Sequence, residues 1–222
     1  NHRDHYDGTR LGFNPTIKIK MNESTTLDLS YEYADHERYI DRGIPTENGE
    51  PVERFEKITF GGDDNLTTLK ANILRATLSK VFSDTRKGNL SIVSSDFEKM
   101  YKNYYASGYT AGATVVTMDG YLDPTERENT IISGNIVNEV GNHTLLVGVE
   151  LIDTTNENFR YNTFWSTTSD DNEVFNITRP MDFSVNSAGV ATSNDYTADL
   201  KSKTKSDIDV TSFFIQDQID VS

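Results

Sequence analysis

The segment HTLLVGVELID, residues 143–153, repeats with a period of two and identifies the kind of strand from which this chain is built. One face of the segment is apolar: Leu145, Val147, Val149 and Leu151. The other face is mainly polar or small, with two apolar exceptions: Thr144, Gly148 and Glu150, with Leu146 and Ile152. This alternation predicts a β-strand whose two faces meet different surroundings.

Period-two alternation or strand-like composition recurs along the whole sequence, and no segment has a clear helical period. The seven predicted strands are 11–21, 26–35, 71–82, 89–105, 127–140, 143–153 and 207–222. Three of them add clear apolar faces: Ile17, Ile19 and Met21; Leu27, Leu29, Tyr31 and Tyr33; Leu74, Ala76 and Leu78. The opposite faces of these strands carry charges: Lys18, Lys20, Asp28, Glu32 and Arg75. An all-β chain follows.

The composition excludes several classes of protein. The 222 residues carry a formal net charge of -14, so no basic surface is offered to nucleic acid. The absence of cysteine excludes disulfides and thiolate metal sites. No apolar run reaches the length of a membrane helix, but barrel strands alternate and never produce such a run. Residues 1–10 lack the apolar core of a signal peptide, which indicates a chain that begins inside a longer protein.

The connections between the predicted strands alternate in length. Three are short and polar, 22–25, 83–88 and 139–142, whereas three are long, about 36–66, 106–126 and 160–206. Every second connection of an up-and-down barrel lies at the same end, and outer-membrane barrels have short periplasmic turns and long external loops. The pattern therefore predicts an antiparallel up-and-down transmembrane β-barrel segment of about seven strands.

Four segments, in this order, resemble the TonB-dependent siderophore receptors of bacterial outer membranes. They are DRGIPTENGEPV (41–52), FGGDDN (60–65), GNHTLLVGVELID (141–153) and SFFIQDQIDVS (212–222). The resemblance extends over nearly the whole chain. It implies a barrel of about 22 strands around an N-terminal plug domain. Residues 1–222 would then be a partial barrel domain, with the plug, the TonB box and the C-terminal strands outside it.

The same resemblance implies a function. It predicts a non-enzymatic receptor in the bacterial outer membrane that takes up a ferric siderophore and is energised by the TonB complex through the missing N-terminal region. The partners would be the siderophore chelate, TonB and outer-membrane lipid, with no nucleic acid and no resident cofactor or metal. The particular ligand stays open, since related receptors take haem, cobalamin or glycans.

Aromatic and arginine residues of the predicted loops are the candidate ligand contacts. Tyrosine and tryptophan offer flat surfaces with hydrogen bonding, and arginine adds charge pairing and cation–π contact with a bulky anionic chelate. The candidates are Arg38, Tyr39, Arg42, Tyr109, Arg160, Tyr161 and Trp165. An aromatic girdle at the membrane boundary is the competing interpretation for other tyrosines. These are Tyr31, Tyr33, Tyr101, Tyr104 and Tyr105.

Other sites receive weaker support from the sequence. His2 and His5 are a poor metal pair, and His143 is interpreted as a polar anchor beside a short turn. The acidic pairs 63–64 and 170–171 lack the spacing of a calcium loop and are interpreted as solvated loop charge. The main alternative function is a secreted or surface β-sandwich that binds carbohydrate through exposed tyrosine and tryptophan. A hydrolase is a distant third, because nothing places a pair of carboxylates.

The alternation itself provides a test of the membrane strands. Arginine at Val147 or Leu29 would face lipid at a cost of roughly 2–4 kcal/mol near the bilayer midplane, and we expect it to block assembly. Arginine at Thr144 or Ser30 would face the interior and be tolerated. The measurement is the amount of folded, heat-modifiable protein in outer-membrane fractions. Equal amounts for the two pairs of variants would contradict the barrel.

Overall fold

A single large antiparallel sheet contains most of the chain in the computed structural model, which describes residues 7–62, 65–178, 182–192 and 198–221. The strands in these residues are β1 (Gly8–Phe13), β2 (Thr16–Asn22), β3 (Thr25–Tyr39), β4 (Thr46–Glu47), β5 (Glu50–Pro51), β6 (Leu66–Ser83), β7 (Arg86–Gly108), β8 (Val115–Val140), β9 (His143–Asn162), β10 (Glu173–Asn176) and β11 (Asp199–Ile219). One 3₁₀ turn, Glu53–Phe55, is present. Within the described residues, no helix is long and apolar enough to cross a membrane.

The long strands lie in the sheet in the order in which they occur in the chain, β1-β3-β6-β7-β8-β9-β11. Strands β1 and β2 pair with the two halves of β3 and act as one strand, broken only at Asn14 and Pro15. The Pro15 carbonyl accepts a hydrogen bond from the Tyr31 amide at 3.1 Å, so the ladder continues through the break. Seven antiparallel strands in up-and-down order confirm the predicted fold class.

The strand register divides the sheet into an apolar face and a polar face, because directly opposite residues point to the same side. One apolar row crosses six strands: Leu27, Leu78, Leu90, Gly134, Val149 and Phe213. The neighbouring row on the polar face is Lys18, Asp28, Thr77, Ser91, Ser133, Glu150 and Ser212. The faces predicted for residues 15–35, 74–78 and 145–151 are therefore confirmed.

The described chain does not form a sandwich. Besides the large sheet, the described ranges contain only the two-residue pairing of β4 with β5. A β-sandwich needs two sheets packed face to face. The carbohydrate-binding alternative therefore loses its structural basis.

The two ends of the sheet carry different connections. At one end, two-residue turns join the strands at 23–24, 84–85 and 141–142. Gly141 has a φ of 63°, a left-handed conformation that glycine adopts without strain. At the other end, 40–65 and 163–198 are long connections.

The predicted long loop at 106–126 is wrong. Only residues 109–114 separate β7 from β8, since both strands extend far beyond their predicted bounds. Gly120 and Pro124 resemble turn signals, but both lie within β8. Pro124 falls where the β8–β9 register has no paired residues, so its missing N–H breaks no bond there.

Buried Asn65 fastens the first long loop to β7. Its side-chain amide donates to the Tyr104 carbonyl at 2.7 Å, and its side-chain oxygen accepts from the Tyr104 amide at 2.9 Å. The Asn65 backbone carbonyl also accepts from the Ile40 amide at 2.7 Å. One residue thus fixes the ends of loop 40–65 against the β7–β8 hairpin.

Candidate ligand site

The upper part of the β7–β8 hairpin, near the long loops, presents different chemistry on its two faces. On the side that continues the apolar face, Tyr104 and Met118 are fully buried. On the side that continues the polar face, alternation places Tyr101, Tyr105 and Tyr121. The hairpin therefore has a hydrophobic back and a polar aromatic front.

A hydrophobic cluster from both long loops packs against the back of the hairpin. We call it the loop core; its buried members are Phe55, Phe60, Tyr104, Val116, Met118, Trp165, Phe175, Ile177 and Phe183. Trp165 is completely buried and makes edge contacts with Tyr104 at 5.6 Å and Phe175 at 5.2 Å between ring centroids. The loops are thus held by aromatic packing to one side of the hairpin.

Tyr121 is the centre of the cluster on the front of the hairpin. The Arg160 guanidinium lies 3.5 Å from the centroid of its ring, and Tyr101 stacks on it at 5.8 Å. Arg42 donates a hydrogen bond of 2.9 Å to the Tyr121 hydroxyl and also lies over the Tyr105 ring at 4.8 Å. We call these five residues the tyrosine–arginine cluster.

Acidic residues border the tyrosine–arginine cluster. Asp123 accepts from Arg160 at 2.9 Å, and Asp119 accepts from the Tyr105 hydroxyl at 3.0 Å. Arg42 has no carboxylate within ion-pair distance among the described residues. Among those residues, the Arg42 guanidinium therefore donates hydrogen bonds only to neutral hydroxyl groups. Its positive charge is available to an anion.

Burial and hydrogen bonding shift the acid–base properties of this region. Burial raises the pKa of Tyr105 to about 12, and the hydrogen bond to Asp119 adds to the shift. Burial also raises the pKa of Asp119, although hydrogen bonds from Tyr105 and Gly120 oppose it. For Arg42, burial lowers the pKa, but hydrogen bonds to Tyr121 and Tyr101 outweigh it and the net pKa is raised. The Tyr105 hydroxyl therefore stays protonated and Arg42 stays charged at neutral pH.

Two further features on the front of the hairpin are suited to a polar ligand. Asn103 lies between Tyr101 and Tyr105 and directly opposite Tyr121, is fully buried, and has no partner for either side-chain atom in the part of the chain that is described. A buried unpaired amide is costly and calls for an explanation such as a missing ligand group or water. Beside the cluster is a cavity of about 550 Å³, lined by Lys99, Tyr101, Asp123, Thr125, Asn158, Phe159, Arg160, Ser202 and Thr204.

The structure brings together some of the predicted ligand residues and separates others. Arg42 and Arg160, from different loops, meet at Tyr121. Arg38 is exposed and lies on the polar face, in one row with Thr67, Tyr101 and Asp123.

The remaining predicted ligand residues lie away from the cluster. Tyr39 is buried and donates to the Gly62 carbonyl at 3.1 Å. Tyr109 packs on Phe55 with centroids 5.3 Å apart, at the edge of the loop core. Tyr161 stacks on Phe159, and Trp165 is enclosed in the loop core.

The tyrosines considered for a membrane girdle also separate into groups. Tyr31 and Tyr33 lie on the apolar face, directly above Leu29, as a girdle requires. Tyr101 and Tyr105 lie on the polar face and Tyr104 lies in the loop core. The girdle interpretation therefore fits only the first pair.

The sequence reasoning missed Tyr121, Asp119, Asp123 and Asn103. The first three were placed in a supposed loop, although their odd-numbered spacing, 119, 121 and 123, is the alternation of a strand. Extending the period-two test through residues 115–125 would have placed them on one face. Their meeting with Arg42 depends on loop packing, which no local pattern reveals.

Within the described ranges, the histidine and acidic candidates form no metal-binding cluster. No three side chains of His, Cys, Asp or Glu lie close enough together there to hold a metal ion. His143 Nδ1 lies 2.8 Å from an Asp217 oxygen on the neighbouring strand, an arrangement suited to a polar anchor. Asp171 accepts from the Asn162 amide at 3.1 Å. His2, His5, Asp63 and Asp64 lie outside the described residues.

Comparison with solved structures identifies the fold as part of the barrel of ferric siderophore receptors. The pyoverdine-bound receptor FpvA of P. aeruginosa matches 100% of this chain over 29% of its own, with a TM-score of 0.79 and 12% identity. The ferric-catecholate import receptor Fiu of E. coli matches 97% over 35%, with a TM-score of 0.69 and 14% identity. BauA, the ferric preacinetobactin receptor of Acinetobacter baumannii, matches 97% over 32%, with a TM-score of 0.62 and 12% identity.

These likenesses confirm, at the level of fold, the resemblance to TonB-dependent siderophore receptors. The chain spans about a third of the length of the solved receptors it matches. No protein-family model and no curated protein sequence matches it.

Close packing at Gly120 gives a test of the loop core. A Cβ atom there would lie 2.5 Å from the ring of Tyr104 and 2.8 Å from the Thr163 side chain. Because Tyr104 is fully buried, Gly120→Ala should destabilise the protein by about 1–3 kcal/mol, as overpacking does. The denaturation midpoint and the near-ultraviolet circular dichroism of Trp165 are the measurements. Gly134→Ala, where a Cβ meets only ordinary contacts from 3.7 Å, is the matched control, and an equal effect there would contradict the assignment.

Proposed function

We propose that this chain forms part of the barrel wall of an outer-membrane receptor for ferric siderophores, energised through TonB, and that the tyrosine–arginine cluster contacts the ligand. The observation that carries the proposal is the meeting of Arg42, Arg160 and Tyr121 on the polar face beside a cavity of about 550 Å³. The fold shared with import receptors supports it.

The division of the sheet into two faces supports the membrane placement. The hydrocarbon core of the bilayer has no hydrogen-bonding groups, so the face in contact with it must be apolar, while the lumen accepts charge. The pair Lys18–Asp28 at 3.2 Å and the pair Arg75–Glu32 at 3.2 Å both lie on the polar face. In this orientation the two-residue turns face the periplasm and the long loops face outside.

The tyrosine–arginine cluster lies well above the membrane part of the wall. After Ile92, the positions on the apolar face of β7 are Ser94, Asp96 and Glu98, and Tyr105 follows Ile92 by thirteen residues, roughly 40 Å along the strand. The cluster therefore faces the outer mouth of the lumen, where an incoming ligand first meets the wall. The receptor would hold and pass the chelate without chemistry on it.

The chemistry of the cluster suits a bulky anionic chelate. Arg42 offers an uncompensated charge, Lys99 adds a second cation beside the cavity, and Arg160 is paired with Asp123. Flat phenol rings provide contact area for the aromatic or amide groups of a chelator.

Neutralising the arginines tests the proposal. Arg42→Gln and Arg160→Gln should each weaken binding of an anionic ferric chelate by about tenfold, since each removes a charge-assisted contact. Binding is measured as the chelate absorbance retained by the purified full-length protein after filtration. Arg54→Gln is the matched control, because Arg54 also lies over an aromatic ring, that of Phe55, but belongs to the loop-core side. Equal losses in all three variants, or none, would contradict a site on the polar face.

The raised pKa of Asp119 predicts a pH dependence of binding. Its carboxyl takes up a proton above the ordinary value of 3.8, and the neutral form repels an anion less. Affinity for the anionic chelate should therefore rise as the pH falls towards the raised pKa of Asp119. It should decrease as the pH rises through that pKa. Asp119→Asn should remove this slope.

The control for that measurement is Asp209→Asn, at an exposed carboxylate on the far strand β11. Any effect of pH on the chelate itself is common to both variants and cancels in their ratio. If Asp119→Asn keeps the same slope of affinity against pH as Asp209→Asn, the pH dependence comes from a group other than Asp119.

A further inference from the structure

A groove of about 470 Å³ runs along the apolar face near the two-residue turns. It is lined by Leu78, Lys80, Phe82, Gly88, Asn89, Leu90, Gly134, Asn135, Ile136, Val147, Gly148, Val149 and Phe213. These residues belong to β6, β7, β8, β9 and β11, with β7, β8 and β9 at its centre. The groove is remote from the tyrosine–arginine cluster, which lies on the polar face at the other end of the sheet.

Gly134 opens the groove, and Gly88 lies beside it under the ring of Phe82. Gly88 and Gly134 lie on the apolar face of the adjacent strands β7 and β8. In its row, Gly88 lies between Lys80 and Ile136, and Gly134 lies between Leu90 and Val149. Large side chains are therefore missing at both positions, but Gly88 is buried and a Cβ there would lie 3.1 Å from the Phe82 ring, so only Gly134 leaves open space. A Cβ at Gly134 would meet only ordinary contacts with Leu90 at 3.7 Å, so the space in front of it is open. Exposed apolar side chains form the walls: Phe82, Leu90, Ile136, Val147 and Phe213.

Lys80 is the single charged residue among those that line the groove. It lies on the apolar face, three residues before β6 ends at Ser83, and its ammonium is 5.4 Å from the centroid of the Phe82 ring. The Lys80 side chain is thus directed towards the turn, as a lysine in a lipid-facing position extends to the membrane boundary. Within the described residues, Lys80 has no carboxylate partner.

We propose that this groove binds one glycerophospholipid, with an acyl chain in the depression at Gly134 and the phosphate on Lys80. This rests on the proposed function only in that the apolar face meets lipid. A phospholipid complements both parts of the site, since it joins an apolar chain to an anion at the membrane boundary. A second copy of this chain fits poorly, because a twofold interface over the groove would enclose two lysines without a counter-charge.

Native mass spectrometry of the full encoded protein in detergent tests the proposal. The probe is a phosphatidylglycerol with two saturated chains, and a diacylglycerol with the same chains lacks the phosphate. The wild-type protein should retain one phosphatidylglycerol and little diacylglycerol. Lys80→Gln should lower the retained fraction about fivefold, the loss expected for one lysine at an anionic lipid surface. Lys20→Gln, on the polar face near the same end, should retain it.

Filling the groove provides the second arm. Gly134→Leu adds an apolar side chain to the open space and should abolish retention, while Ala76→Leu makes the same kind of change on the apolar face outside the groove and should preserve it. Equal retention in these two variants, equal binding of diacylglycerol and phosphatidylglycerol, or a dimer that Gly134→Leu disrupts would each overturn the proposal.

Ferric chelate binding, measured on the same preparations, separates this proposal from the proposed function. Gly134→Leu and Lys80→Gln lie far from the tyrosine–arginine cluster and should bind the chelate as the wild type does. Loss of lipid retention with normal chelate binding locates the lipid in the groove. Normal lipid retention in a protein that binds no ferric chelate would overturn the receptor function and leave the lipid site in place.

Discussion

The two-residue period of the strands, held in one register across the sheet, is the constraint on which the rest of this structure depends. A slip of one residue would carry Leu27, Leu78 and Leu90 to the polar face and bring Asp28 and Glu150 to the apolar one. Because so many apolar and charged residues would exchange surroundings together, the register is strongly specified. The same alternation, continued towards the long loops, places Tyr104 and Tyr105 on opposite sides of one strand.

The loop core and the tyrosine–arginine cluster are two sides of one hairpin, and each gains from the other. Aromatic packing of Trp165 and Phe175 behind the hairpin holds the loops close to it, and Asn65 fastens the start of β6 to Tyr104. Arg42 then reaches the front from a fixed loop. The proposed ligand site would need little ordering on binding, because its side chains already rest on a packed support.

The fold was predictable from the strands with the strictest period-two alternation. The prediction failed where the local sequence signals were ambiguous. The faces of Leu29 and Val147 followed from alternation, and the order of the strands followed from short and long connections. The loop predicted at 106–126 was wrong because β7 and β8 continue through most of it, and pairing between these strands overrides the breaker residues Gly120 and Pro124. Arg42 and Arg160 were recognised as candidates, but their meeting at Tyr121 joins residues far apart in sequence. Trp165 entered a core that exists only once both loops have folded.

The unequal connections also set an order for folding. Strands joined by two-residue turns close with little loss of chain entropy, whereas the 36 residues between Asn162 and Asp199 make closure more costly by on the order of 2–3 kcal/mol. Pairing of β9 with β11 is therefore the most non-local step between consecutive long strands, and such contacts form late. The hairpins β2–β3, β6–β7 and β8–β9 become the kinetic units of assembly, and β11 is the strand that docks onto a sheet already built.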